Sequence, residues 1–336
     1  MSAPYARTVL TGNDAAPPAG GRRPVLLAAL GAACISASAV LVKLADTGAA
    51  TVGVYRCFLA LPVLFTLAVA EQRRRGRRPR AARLGAVLAG LFLAVDLVLW
   101  NHAITEVGAG IATVLGNLQV LFVAFAAWML FRERPGRMFM IALPVVMTGV
   151  VLVSGLIGST QRGIHPVAGI VYGIGTSVAY AAFLLILRRT STGTPHVAGP
   201  LAEATAGAAV GSLLLGLAFG GLQFEIPWPS FWWLLLLSVT SQTIGWLLIT
   251  SSLPRLPAAV SSLLLLLQPA ASILLAAVIL GEQPTAIQLA GALLVCCGAL
   301  AVSLAATSKR SRPDPAQGQD PPRQLCETVP GRTGRN

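Results

Sequence analysis

A chain that repeats one unusual apolar stretch is constrained to fold twice in the same way. Residues Val107–Pro135 read VGAGIATVLGNLQVLFVAFAAWMLFRERP, and Leu256–Pro284 read LPAAVSSLLLLLQPAASILLAAVILGEQP. A shift of 149 positions lays Leu115 on Leu264, Leu118 on Leu267, Gln119 on Gln268, Glu133 on Glu282 and Pro135 on Pro284. The same shift carries Gly149 onto Gly298. Each copy opens on small residues, stays mostly apolar around a mid-span glutamine, and ends in an acidic turn with proline. A polar side chain in that much hydrocarbon is costly unless another helix satisfies it. Its repetition implies a repeated environment, hence a duplicated fold.

Hydrophobic residues make up 55% of the chain and charged residues 11%, against about 25% charged in a soluble domain. The long apolar runs therefore define a helical membrane protein, and the short alternating segments of a membrane β-barrel are missing. Ten runs are predicted to span: 24–45, 52–70, 84–103, 107–131, 138–157, 166–187, 197–219, 230–250, 257–280 and 286–306. At 1.5 Å per residue each reaches across about 30 Å of hydrocarbon. The first run is too long and unbroken for a signal-peptide core, so it is expected to remain as the first helix. Residues 1–23 and 307–336, rich in Pro, Gly and Arg, are expected to be a disordered cytoplasmic arm and tail.

The net charge of +13 would suggest a nucleic-acid partner in a soluble protein. Its distribution gives another cause. With the N-terminus inside, the segments 1–23, 71–83, 132–137, 188–196, 251–256 and 307–336 hold 22 of the 25 Lys and Arg. The exceptions are Lys43, Arg56 and Arg162. That is the positive-inside bias of a multi-pass protein with both termini cytoplasmic. The loop QRRRGRRPRAAR carries seven arginines and reads as a topology anchor, with a lipid-headgroup or nucleic-acid patch as the alternative. Five spans per half is an odd number, so the second half enters from the opposite side and the repeats are inverted. The predicted class is an all-α membrane protein with ten transmembrane helices in two inverted repeats, 24–157 and 166–306.

The paired stretches ending in RERP and GEQP resemble the EamA repeat of the drug/metabolite transporter superfamily, over about residues 24–306. The resemblance implies a ten-helix basket with a central cavity between the halves and helices 5 and 10 peripheral. It also implies secondary transport of small organic metabolites across the plasma membrane, with export the expected direction. Asp96 within helix 3 departs from a generic EamA repeat.

Asp96 is the leading site candidate. A mid-helix carboxylate costs roughly 2.5–3.5 kcal/mol to insert, so it is expected to face the bundle interior. There it serves as substrate contact or proton carrier, or else as an internal ion pair or hydrogen bond that holds helices together. Trp100 stands one turn on, with Asn101 beside it. Gln242 and Trp246 repeat the i, i+4 pair 146 positions later. These four pair members are expected to line one cavity, with Asn117, Gln119 and Gln268 reaching it or its wall. Pro269 after Gln268 is expected to free a carbonyl near Leu265. Trp100 and Trp246 serve either as walls for an organic substrate or as interface anchors. Arg56 and Glu203, repeat mates at a shift of 147, are expected to pair across the pseudo-twofold axis, structurally or as a gate. Lys43, near a helix end, is expected to snorkel. The runs Gly169–Gly173 and Gly207–Gly211 are expected to mark close helix packing.

Other functional classes lack their residues. The cysteines Cys34, Cys57, Cys296, Cys297 and Cys326 have neither zinc nor disulfide spacing, and the histidines His102, His165 and His196 form no metal pair. No GxSxG, HExxH or P-loop occurs, so no cofactor or metal is expected, a membrane enzyme is disfavoured, and coupling falls to protons or exchange. A passive channel or scaffold is the alternative, but mates as unlike as Asp96 and Gln242 do not repeat a filter. The expected partners are a small-molecule substrate and the lipid bilayer, with no nucleic acid; oligomeric state has no signature. The topology is testable by reporter fusions. Fusions after Arg78 and Arg134 should report inside, and fusions after Thr160 and Gln283 outside. An outside signal at the 73–83 loop overturns the ten-helix arrangement.

Overall fold

The computed structural model describes residues 22–156 and 165–308. The arm before Arg22, the tail after Ser308, and Arg162 lie outside the described residues. All regular structure among the described residues is helical. The spans are α1 (Arg22–Ala45), α2 (Ala49–Arg75), α3 (Arg80–Gly108), α4 (Gly110–Phe131) and α5 (Arg137–Val153). The second half supplies α6 (Pro166–Ser191), α7 (Ala198–Phe219), α8 (Trp228–Arg255), α9 (Ala258–Leu280) and α10 (Ala286–Ser308). Nine of these are long and apolar enough to cross a membrane, and α5 is the short one at 17 residues. The two faces of the bundle differ. The basic face carries the α2–α3, α4–α5, α6–α7 and α8–α9 connections; the opposite face carries the others.

Several boundaries differ from the apolar runs. Arg22 and Arg23 begin α1 rather than closing the arm, and α2 and α3 extend into the arginine loop as far as Arg75 and Arg80. Long basic side chains allow this because their heads reach water while the helix continues. Between α3 and α4 there is almost no loop: the chain turns on Gly108, whose φ of 83° suits a residue without Cβ.

Three spans depart from regular α-helix. In α4, the Leu118 N–H bonds the Leu115 carbonyl at 3.1 Å, and in α9 the Leu266 N–H bonds the Leu263 carbonyl at 3.0 Å. Both are tight turns that interrupt the ladder. Pro269 accounts for the second, since it has no N–H for the Leu265 carbonyl and its ring crowds that group. In α8, residues Ser238–Gly245 form a π-helical stretch. The ends of α4 and α9 match. Arg132 (φ 54°) and Gly281 (φ 68°) both take the left-handed cap, bonded to the carbonyls of Ala127 and Ala276.

Lipid offers no hydrophobic drive between helices, so they associate where small residues allow backbones to approach. A Cβ on Gly90 of α3 would stand 1.8 Å from the Ala204 carbonyl oxygen, and one on Gly207 of α7 would stand 2.2 Å from that of Val87. Gly211 meets Ala94, while Gly169 and Gly173 of α6 face Val107 and Leu115. α5 and α10 pack on each other through Gly149, Gly291 and Gly298. Large apolar residues such as Leu130, Val167 and Val278 are left exposed on the outside, as a lipid-facing surface requires. The α3–α7 crossing is therefore sensitive to one methyl group. Gly90→Ala should cost about 1–3 kcal/mol by overpacking. Gly136→Ala, where a Cβ meets nothing within 4 Å, should stay within about 0.5 kcal/mol. Thermal unfolding in detergent measures both.

Candidate functional site

A cavity of about 540 Å³ opens between the two halves, in the range of a small-ligand site. Its walls come from the later part of α1 (Ser36, Ala39, Val42), the start of α2 (Gly53, Arg56) and the later part of α3 (Asp96, Trp100, Asn101). The irregular parts of α4 (Gly116, Asn117, Gln119) and α9 (Gln268, Pro269, Ser272) complete it, with Thr176 and Tyr180 of α6 and Trp246 of α8. The α1 and α3 residues of the lining run from the middle of their helices toward the ends, so the cavity faces the side opposite the basic face.

Arg56 and Asp96 are the charged residues of the lining. Asp96 is 8% exposed. Its backbone carbonyl accepts a bond from Thr176 Oγ1 at 3.1 Å, while its carboxylate interacts electrostatically with Arg56. Among the described residues no side chain hydrogen-bonds that carboxylate. Arg56 is held from behind: Nε donates to Gln242 Oε1 at 3.2 Å and Nη2 to Ser241 Oγ at 3.4 Å. Gln242 Nε2 in turn donates to Thr205 Oγ1 at 3.2 Å. This polar relay leaves the guanidinium partly neutralised by dipoles and its charge directed at the lumen.

Trp100 is half-exposed beside Gly116. Trp246 is fully buried and meets Phe183 edge-on at 4.9 Å between centroids. Asn117 Nδ2 donates to the Thr113 carbonyl at 2.7 Å. Gln119 is buried with an Oε1 that is unbonded among the described residues, and Gln268 lines the cavity with Tyr180. The breaks in α4 are repaired by Ser177 of α6, which donates to the carbonyls of Leu115 and Gly116.

Three expectations need correction. Gln242 does not line the cavity with Trp246. It lies in the π-helical stretch behind Arg56, where its amide accepts from Arg56 Nε and donates to Thr205 Oγ1. Nor does Glu203 pair with Arg56. Its carboxylate binds Arg78 and Arg83, the latter at 2.9 Å, on the basic face. The reason is the inversion itself: both residues sit near the start of their helices, and the starts of α2 and α7 lie on opposite faces. Lys43 does not simply snorkel but pairs with Glu282. Its repeat counterpart is Arg188 with Glu133, at 2.7 Å on the basic face.

Sequence reasoning missed Thr176 and Tyr180 in the lining, although a tyrosine mid-way along an apolar run was a signal. It also missed the two carboxylates that close the basic face. Glu71 caps α7, accepting from Val197 N at 2.8 Å and Gly199 N at 3.0 Å. Glu133 caps α9, accepting from Ala258 N at 3.1 Å.

A ten-span bundle duplicated around a central cavity is a transporter architecture, and comparison with known proteins agrees. The EamA-like transporter family matches residues 22–155 and again residues 167–304. The chain belongs to the EamA-like transporter family and is a multi-pass membrane transporter of the drug/metabolite transporter superfamily. No curated protein matches it. A solved structure described as "Crystal structure of protein" superposes with a TM-score of 0.70 at 17% identity, covering 84% of this chain and 98% of that one. At that identity it shows the shared fold.

Double-mutant cycles test the corrected pairing. Glu203→Gln should lower stability by about 1–3 kcal/mol by unbalancing the buried Arg78. Its effect should add to that of Arg56→Met within about 0.5 kcal/mol, and should fail to add to that of Arg78→Met. Strong coupling between positions 56 and 203 would restore the first expectation.

Proposed function

We propose that the protein is a secondary transporter that exports small organic metabolites across the plasma membrane by alternating access, driven by protons or by exchange. The observation that carries this reading is the cavity lined by Arg56 and Asp96, one cation and one anion within a few helical turns of each other. Trp100, Tyr180 and Trp246 add flat apolar walls, and Asn101, Gln119 and Gln268 add amides. That lining suits a solute with polar ends and a compact apolar body, as binding sites combine apolar walls with a few placed polar groups. No catalytic set accompanies Asp96, which favours carriage over chemistry. With both termini cytoplasmic, the cavity faces the outside and its cytoplasmic end is closed.

Asp96 is the carboxylate poised for coupling. Its carboxylate lines the lumen, has no hydrogen-bond donor among the described residues and lies in the field of Arg56. Such a group can bind a proton or a substrate cation on one side of the membrane and release it on the other. Glu203 is outside the cavity and has a structural role on the basic face. Asp96→Asn should fold normally and reduce pH-gradient-driven flux in proteoliposomes to the protein-free level, while counterflow persists. Wild-type gradient-driven flux in that variant removes Asp96 as carrier. Flux that never saturates with substrate, in any variant, favours a passive channel instead.

A further inference from the structure

A second hollow, of about 180 Å³, lies on the basic face between the end of α2, the α2–α3 connection and the start of α7. Its polar wall is Gln72, Arg77, Arg78, Arg83, His196 and Glu203. Three guanidiniums outweigh one carboxylate there, and Arg78 and Arg83 already engage that carboxylate. Phe65, Ala68 and Val69 form the other wall, and Phe65 and Val69 are 44% and 47% exposed on the outer surface of α2. In a bilayer those two side chains touch acyl chains at the depth where the arginines meet headgroups.

Two buried polar atoms in this wall lack a partner among the described residues: Nε of Arg78 and Nδ1 of His196, in residues only 8% and 7% exposed. A buried polar atom without a partner calls for one, and a group bound in the hollow would supply it. The chemistry of the two atoms differs. The Arg78 Nε–H is a donor and fits a phosphate oxygen. His196 Nε2 contacts the Gly76 carbonyl at 3.0 Å, and a carbonyl only accepts, so Nε2 carries the proton. The free Nδ1 accepts a hydrogen bond in the neutral ring and donates one in the charged ring, and a hydroxyl, which can do both, fits either. Burial lowers the pKa of Arg78, and Glu203 beside it opposes the fall; a second anion would stabilise the charged guanidinium further.

We propose that this hollow is a specific site for an anionic phospholipid with a hydroxyl-bearing headgroup. The phosphate lies against Arg77, Arg78 and Arg83, the headgroup hydroxyl on His196 Nδ1, and the acyl chains along Phe65 and Val69. The basic α2–α3 connection thus binds a particular lipid as well as orienting the chain. The site is independent of the transport cavity and of the direction of transport.

The test is lipid retention by the full-length protein, purified from vesicles of phosphatidylcholine mixed with phosphatidylglycerol or phosphatidic acid and read by native mass spectrometry. Wild type should retain phosphatidylglycerol over both other lipids. Arg77→Ala, at an exposed residue that the fold does not need, should weaken retention about fivefold, as expected for one cation at the membrane surface. Arg74→Ala removes the same charge outside the hollow and should change retention by less than half of that. Equal losses in the two variants overturn the site in favour of a diffuse field. Equal retention of phosphatidic acid overturns the hydroxyl contact. Displacement of the lipid by inorganic phosphate or glycerol 3-phosphate overturns the lipid as the source of the phosphate.

Discussion

Hydrocarbon hydrates no backbone, so each orphaned carbonyl or N–H inside a bilayer costs several kcal/mol unless protein takes it up. The spans nevertheless break, at Leu118 in α4 and Leu266 in α9. The first break is affordable because Ser177, from α6, accepts none of the burden of a missing donor but supplies one, to Leu115 and Gly116. The second lies beside the cavity, where Leu265, Gln268 and Pro269 are part of the lining. Irregular backbone at membrane depth is tolerated where it borders such a lumen. The π-helical stretch of α8 is a third departure. It turns Gln242 away from the lumen towards Thr205 and Arg56, and delivers Trp246 to the cavity wall. The polar cavity therefore depends on three places where the helices are not regular.

Much of this was legible as pattern. The shift of 149 that aligns Gln119 with Gln268 also aligns the observed caps, Arg132 with Gly281 and Ala127 with Ala276. Hydropathy gave the spans because a spanning helix must be both long and apolar. The lining residues Arg56, Asp96, Trp100, Asn101, Asn117, Gln119, Trp246 and Gln268 were all nameable in advance as polar or aromatic groups inside apolar runs. Pairings were not legible. A repeat shift identifies equivalent positions, but inversion sends equivalents near helix ends to opposite faces, which is why Glu203 meets Arg78 and not Arg56. Gln242 was misplaced for a different reason: its amide is taken up behind the lining by Arg56 and Thr205, and nothing in SVTSQTIG marks the π turn on which it lies.

The two faces of the bundle carry equivalent ion pairs in unequal surroundings. On the open side Lys43 and Glu282 join α1 to α9, with side chains 66% and 46% exposed. Pairs so exposed contribute little, about 0–1 kcal/mol. On the basic face Glu133 is a hub. It binds Arg188 of α6, caps α9 at Ala258, and through Arg188 reaches the Leu253 carbonyl of α8. Four helices are tied there by one carboxylate, with the Arg188 side chain only 14% exposed. Charge-assisted bonds in partly dry surroundings are the stronger kind. Glu71 adds a second tie by capping α7 from α2. The closed end of the cavity is thus held by a charge-assisted network, and the open end by one exposed ion pair together with the bonds that join Thr51 and Tyr55 of α2 to the α7–α8 connection. Equivalent residues of a duplicated fold carry unequal charge ties at the two ends of the cavity, partly buried at one and exposed at the other.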